Sequence, residues 1–237
     1  MKIQFVKHSC FAVTTPSVSL IFDYSRGELP ELERELPVFA FISHAHDDHF
    51  NPAIVDALKD YPSVTFIVSS DVPEKDREAM QKKASDDRKF VYMDADEQAR
   101  FPELTVKTLK STDEGVAFIV EADGKKIYFA GDLHWWTWEG ESDEAEEEMK
   151  QAFIHEMDKI KGEQLDLAFL VLDPRQEDRY WWGFDYFMKN VGAKHALPMH
   201  SWGKYQLIEK LLTEPFSESY RENIFPVHQS GEVFLID

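Results

Sequence analysis

His44-Ala45-His46-Asp47-Asp48-His49 puts three imidazoles and two carboxylates within six residues, directly after the apolar run Val38 to Ile42. That run reads as a short buried strand. Residues two apart point the same way in extended backbone, so His44 and His46 form a pair. Asp48 and His49 follow in a turn and reach a second position beside the first. Neutral imidazole together with carboxylate suits zinc, manganese or iron. A solvated histidine-rich loop is a poor match, because an apolar strand leads straight into the ligands. His200 closes another apolar run, Leu197-Pro198-Met199, and Ser201-Trp202-Gly203 continues it as a loop. Functional side chains concentrate at such strand mouths. Asp132 follows Phe129-Ala130-Gly131, where the glycine permits a tight turn. His44, His46, Asp48, His49, Asp132 and His200 are therefore the candidate metal ligands.

A second tier surrounds them. His8 ends the first apolar stretch and either lines the pocket or hydrogen-bonds in the core. Asp23, after Leu20-Ile21-Phe22, either orients a ligand imidazole, as metal sites require, or caps a turn. Arg175, in Asp173-Pro174-Arg175, either grips a substrate carboxylate or phosphate in two-pronged fashion or pairs with Asp173 or Glu177. His155, His195 and His228 carry no motif. The chain holds no cysteine pair for a zinc ribbon, no G-x-S-x-G elbow and no P-loop. Cys10, its one cysteine, is read as a small buried hydrophobe.

H-x-H-x-D-H after a short strand resembles the signature of the metallo-β-lactamase superfamily of metallohydrolases. Phe129-Ala130-Gly131-Asp132 looks like that family's strand-then-Gly-Asp element, and Leu197-Pro198-Met199-His200 like its final strand-then-histidine. Lys7-His8-Ser9-Cys10-Phe11 and Leu20-Ile21-Phe22-Asp23 look like the openings of the branch containing L-ascorbate-6-phosphate lactonase. The resemblance implies two sub-sites, one on His44 and His46 and one on Asp48, His49 and His200, bridged by Asp132. One or two divalent ions are expected, zinc first, with manganese or iron as alternatives. Such an ion lowers the pKa of its water from about 15.7 towards about 7, and the hydroxide attacks a carbonyl or phosphoryl centre. Asp48 and Asp132 are the expected proton handlers. One departure stands out. Where the family supplies a third histidine to the first sub-site, this chain has Lys110-Ser111-Thr112-Asp113-Glu114-Gly115. Asp113 or Ser111 takes its place, or the first sub-site is weak or vacant. His134 is a further substitute, but beside Trp135 and Trp136 it is read as lining the substrate pocket.

The elements that must position these residues follow from periodicity. Residues 2–7, 11–15 and 17–22 read as an antiparallel meander. Residues 38–42, 64–68, 90–93, 105–109, 116–121 and 126–130 read as strands, with Asp123-Gly124 as a hairpin turn. Helices are expected from Asn51-Pro52 to Leu58 and from Pro73 to Lys83. The second half alternates a long amphipathic helix, 144–160, strand 167–172, helix 182–190, strand 195–199, helix 205–212 and a last strand, 231–236. The fold class is α/β. Two mixed sheets flanked by helices, in αββα layers, make one domain over residues 1–237.

Bulk properties bound the function. A length of 237 residues with 43% hydrophobic content supplies a large core, and 18 Phe with 6 Trp make it aromatic. A formal charge of −19 repels phosphate backbones and argues against nucleic acid. It does not exclude a small anion beside a metal, whose own charge dominates locally. One cysteine, no signal-like apolar start and no run of about 20 apolar residues make a cytoplasmic protein without membrane contact the expectation. The expected function is metal-dependent hydrolysis of a small anionic lactone, ester or phosphoester. The alternatives are a nuclease or phosphodiesterase of the same superfamily and a non-catalytic metal- or ligand-binding protein. Oligomeric state is not legible in the sequence.

Overall fold

The apolar runs of the first half pair into one sheet, and those of the middle and end into another. The computed structural model describes residues 1–85 and 87–237. β1 (Lys2–Lys7), β2 (Cys10–Thr14) and β3 (Ser19–Phe22) form the antiparallel meander. β4 (Val38–Ile42), β5 (Val64–Ser69) and β6 (Lys89–Met93) join in parallel. Parallel neighbours need crossovers. α1 (Ala53–Ala57) and α2 (Glu74–Lys83) lie within the last two of these connections. β13 (Val233–Leu235) adds antiparallel to β1, giving the order β13-β1-β2-β3-β4-β5-β6.

The second sheet opens with β7 (Gln98–Arg100), β8 (Leu104–Lys110), β9 (Val116–Ala122) and β10 (Lys125–Phe129), all antiparallel. β11 (Leu167–Val171) and β12 (His195–Met199) extend it in parallel, after crossovers through α3 (Asp143–Ile160) and α4 (Trp182–Asn190). α5 (Gln206–Thr213) follows β12. Asp123 and Gly124 turn the β9–β10 hairpin with φ of 51° and 71°, the left-handed pair such a tight turn needs. No helix among the described residues is long and apolar enough to cross a membrane.

Strand alternation builds the layers. Phe39 and Phe41 of β4 enter the core between the sheets, whereas Val38, Ala40 and Ile42 enter a second cluster under α1 and α2. Phe22 stacks on Phe41 and on Phe129 of the opposite sheet, both at 4.8 Å. Each such ring leaving water contributes roughly 2–3 kcal/mol. Tyr128 faces the other way and stacks on Phe187 of α4 at 4.9 Å. The result is the expected α/β architecture, two mixed sheets flanked by helices.

Register then gathers six strand ends at one edge. Phe11 pairs with Phe22, Phe22 with Phe41, Phe129 with Phe169, and Val171 with Met199. The residues just past β1, β3, β4, β10, β11 and β12 therefore emerge together. They are His8, Asp23, His44, Asp132, Asp173 and His200.

Candidate metal centre

Three buried imidazoles are each held from behind by an oxygen. His49 Nδ1 donates to Asp23 Oδ2 at 2.7 Å, and His200 Nδ1 donates to Asp173 Oδ2 at 2.7 Å. Ser43 Oγ donates to Asp23 Oδ2 at 2.5 Å and so accepts from His44 Nδ1 at 2.9 Å. With Nδ1 carrying the proton, each Nε2 presents a lone pair to the centre. Those lone pairs meet one another and a carboxylate. His49 Nε2 lies 3.1 Å from His200 Nε2. Asp132 Oδ1 lies 3.1 Å from His49 Nε2 and 3.5 Å from His200 Nε2. Asp132 Oδ2 lies 3.4 Å from His44 Nε2 and 4.0 Å from His46 Nδ1.

Lone pairs crowded against carboxylate oxygens repel unless a proton or a metal ion lies between them. Among the described residues, buried His44 Nε2, His8 Nε2 and Asp132 Oδ1 have no hydrogen-bond partner, although each has a polar atom nearby. Charge follows the same demand. Burial opposes ionisation of His49, but Asp132 and Asp23 outweigh it and hold the imidazole well above its usual range. Burial likewise opposes the Asp132 charge, yet His49 and His44 hold its carboxyl well below the usual carboxylate range. The donor set fits a divalent ion with nitrogen and oxygen ligands.

Three groups have ligand atoms mutually within 4.8 Å; Asp23, His44 and His49 form one behind the centre, and the other two open onto one cleft. One is His44, His46 and Asp132; the other is His8, Asp48, His49 and His200. Asp132 turns one oxygen towards each. All six sequence-predicted ligands therefore converge. His8, expected only as a pocket-lining or core residue, joins the second group, with Nε2 3.0 Å from Asp48 Oδ2. Asp23 sits behind His49, as expected for an orienting carboxylate.

Backbone strain accompanies the geometry. His8, Asp23, His200 and Trp202 all adopt left-handed φ, between 43° and 68°. Such conformations cost on the order of 1–3 kcal/mol each and persist where the surroundings over-determine them. Gly131 (φ 53°) packs so closely that an added Cβ would lie 2.9 Å from Ser43 Cβ, which is why glycine precedes Asp132.

The β8–β9 loop that lacks the third histidine does overhang this centre. Asp113 lines the cleft but is not among the groups whose ligand atoms lie mutually within 4.8 Å. Burial, then Asp132, push its carboxyl up. Glu114, not singled out in the sequence, approaches His46 Nε2 at 3.5 Å. His134 corrects an expectation, for it does not line the cleft. It is buried, its Nε2 donates to Gln176 Oε1 at 2.8 Å, and burial pushes it down to about 4. Gln176 passes the link on to the Trp135 carbonyl at 3.0 Å. Arg175 pairs with Asp173 and also lines the cleft.

Asp173, Trp138 and Trp202 were missed as site residues. Asp173 repeats the strand-then-aspartate pattern that marked Asp23, so its signal was present; the tryptophans had none. The cleft has a volume of about 300 Å³. A larger cavity of about 510 Å³ lies between α3 and α4 but contains none of the imidazoles. Candidate ligands line the smaller one.

Two mixed sheets with helices outside, and a histidine–aspartate centre at one edge, define the metallo-β-lactamase fold. The chain belongs to the family described as Beta-lactamase superfamily domain, whose sequence model matches residues 2–148. That match takes in His8, the histidine motif and Asp132 and stops before His200. No curated protein matches the chain. Among solved structures it is similar to Igni18, a metallo hydrolase from Ignicoccus hospitalis, at 18% identity and TM-score 0.67, covering 100% of this chain and 99% of that one. It is also similar to an isothiocyanate hydrolase from Delia radicum gut bacteria, at 15% identity and TM-score 0.60, covering 100% and 99%. A third likeness is to CmlA, a diiron β-hydroxylase from Streptomyces venezuelae, at 11% identity and TM-score 0.59, covering 84% of this chain and 44% of that one. At these identities the likeness speaks for the fold.

Proposed function

We propose that this chain, read as one domain over residues 1–237, is a metal-dependent hydrolase of a small anionic molecule. A lactone, ester or phosphoester is the substrate class, in keeping with the lactonase-like opening motifs. The observation that carries the reading is Asp132, with one oxygen towards each of two imidazole groups, His44 and His46 on one side and His49 and His200 on the other. Family membership and the likeness to solved hydrolases support it. His44, His46 and Asp132 would hold one divalent ion, and His8, Asp48, His49, His200 and Asp132 the other, with zinc first and manganese or iron as alternatives. When bound, such ions polarise a carbonyl or phosphoryl oxygen and acidify water to a pKa of about 7.

The chain's own residues do the rest. Asp23 and Asp173 fix the tautomers and aim of His49 and His200. Asp48, half-exposed at the cleft, stays ionised because His200 and His8 outweigh its partial burial. As an ionised carboxylate it would accept a hydrogen bond from the attacking water and orient it, and it or Asp132 would manage the protons of the step. Trp136, Trp138 and Trp202 shield the cleft from bulk water.

The test is metal content in protein purified without chelator, followed by a lactone, ester and phosphoester panel. Retained zinc, manganese or iron with turnover that His49→Ala abolishes is expected. Protein that takes up no metal sinks the reading. The absent loop histidine favours a second one, a metal- or ligand-binding protein without turnover. Bound metal with no product in a single-turnover assay would select it. A nuclease role fits poorly with a charge of −19. The single cysteine, fully buried, fits a cytoplasmic location.

A further inference from the structure

One guanidinium stands over the cleft, and it is unusually fixed for an exposed side chain. Arg175 is 48% exposed in its side chain, yet Asp173 grips it side-on. Nε donates to Oδ1 at 3.1 Å and to Oδ2 at 2.9 Å, and Nη2 donates to Oδ2 at 2.6 Å. Three indoles surround it, with Trp202 at 4.8 Å, Trp138 at 5.5 Å and Trp136 at 6.0 Å from ring centroid to guanidinium carbon. Trp136 and Trp138 are themselves stacked at 5.6 Å and 9°. Trp202, in its left-handed conformation, also donates Nε1 to Asp173 Oδ2 at 3.2 Å.

This arrangement has two chemical consequences. A surface arginine ordinarily loses rotamer freedom when it captures an anion; here that freedom is already lost, so capture costs less. The Asp173 grip also uses only the Nε/Nη2 edge of a five-donor fork, leaving the Nη1 edge for a second acceptor. Asp173 is not free to neutralise Arg175 alone, because it also serves His200. Arg175 is the one lysine or arginine among the described residues lining the cleft. Its other charges there, Asp48, Asp113 and Asp132, lie on the metal side.

We propose that Arg175 is the specificity residue of the cleft. It reads an oxyanion, carboxylate or phosphate, on a molecule whose flat apolar body lies against Trp138 and Trp202, the more exposed of the three indoles. This rests on the hydrolase reading above and narrows its substrate class to aryl or similarly flat oxyanions.

Binding of simple probes to zinc-loaded protein tests it without turnover. The probes are benzoate, phenyl phosphate, neutral benzamide and acetate, followed by tryptophan fluorescence and calorimetry. Benzoate or phenyl phosphate should bind at least about tenfold tighter than benzamide, and acetate more weakly than benzoate. Whichever oxyanion binds more tightly identifies the group read. Arg175→Met should bring benzoate and benzamide to parity while zinc content and benzamide affinity hold. Trp138→Leu should weaken benzoate and leave acetate unchanged. An unchanged benzoate-to-benzamide ratio in Arg175→Met would mean the metal reads the anion and would overturn the proposal. Loss of zinc in that variant would overturn it too, making Arg175 a prop for Asp173. Failure of the hydrolase reading would register separately, as wild-type protein that binds no zinc.

Discussion

Asp173 and Asp23 stand behind His200 and His49 at the same distance, 2.7 Å, and on the same ring atom. Each fixes which nitrogen carries the proton. Asp173→Ala is expected to weaken zinc at the His8–Asp48–His49–His200 group by about 10–100-fold, the usual cost of losing a carboxylate behind a ligand imidazole. Titration of apo protein with zinc checks it, and unchanged affinity would reduce Asp173 to a partner of Arg175. Asp113 makes a contrasting case. Because its carboxylate lies outside the close ligand groups, Asp113→Ala should leave two zinc ions bound per chain, whereas His44→Ala should remove one. Elemental analysis after dialysis distinguishes them. The convergence of the six candidate ligands was legible because ligand type, short spacing and a preceding apolar strand coincide in the sequence. His8 as a ligand, Asp173 and the indoles were not. Their roles depend on which strand ends meet across two sheets, and no local pattern encodes that.

Strand ends position this chemistry, and one tight contact shows how little they tolerate. Gly115 begins the return from the β8–β9 loop at φ 72°, and a Cβ there would lie 1.9 Å from the Ser43 carbonyl oxygen and 2.7 Å from His44 Cβ. Gly115→Ala must displace backbone that carries a ligand. It is expected to cost about 3 kcal/mol and to weaken metal at His44 and His46 together. Urea denaturation and zinc titration read the two effects, and a variant of native stability would contradict the close packing. Most elements were legible because their apolar period is clean, as in β4 and α4. β7 was not: Gln98–Arg100 is an edge strand of three residues, too short for its alternation to register. The last strand is shorter than its apolar pattern, since only Val233–Leu235 pairs with β1. Element ends depend on where a partner strand stops, and the sequence does not mark that.

Across the whole molecule, a charge of −19 sets long-range behaviour. Binding to duplex or single-stranded nucleic acid at physiological salt is expected to be undetectable by fluorescence anisotropy. Tight binding with a steep salt slope would revive the nuclease reading. Metal is expected to act as a structural clamp too, because its ligands come from both sheets. Each ion at 1,000 times its Kd would stabilise the folded state by about 4 kcal/mol, so chelation should lower Tm. A calorimetric scan with and without EDTA checks this. The pairing of β1 with β13 and the meeting of His8 with His200, ring centroids 4.3 Å apart, carry a consequence for time. These contacts span nearly the whole chain, and long-range pairings form late. On a ribosome, His44 to His49 would emerge long before His200 exists to complete the cage. Early imidazoles could hold an ion only loosely. In refolding, native metal uptake should therefore lag the return of secondary structure, and a zinc-release dye beside stopped-flow circular dichroism would time the gap.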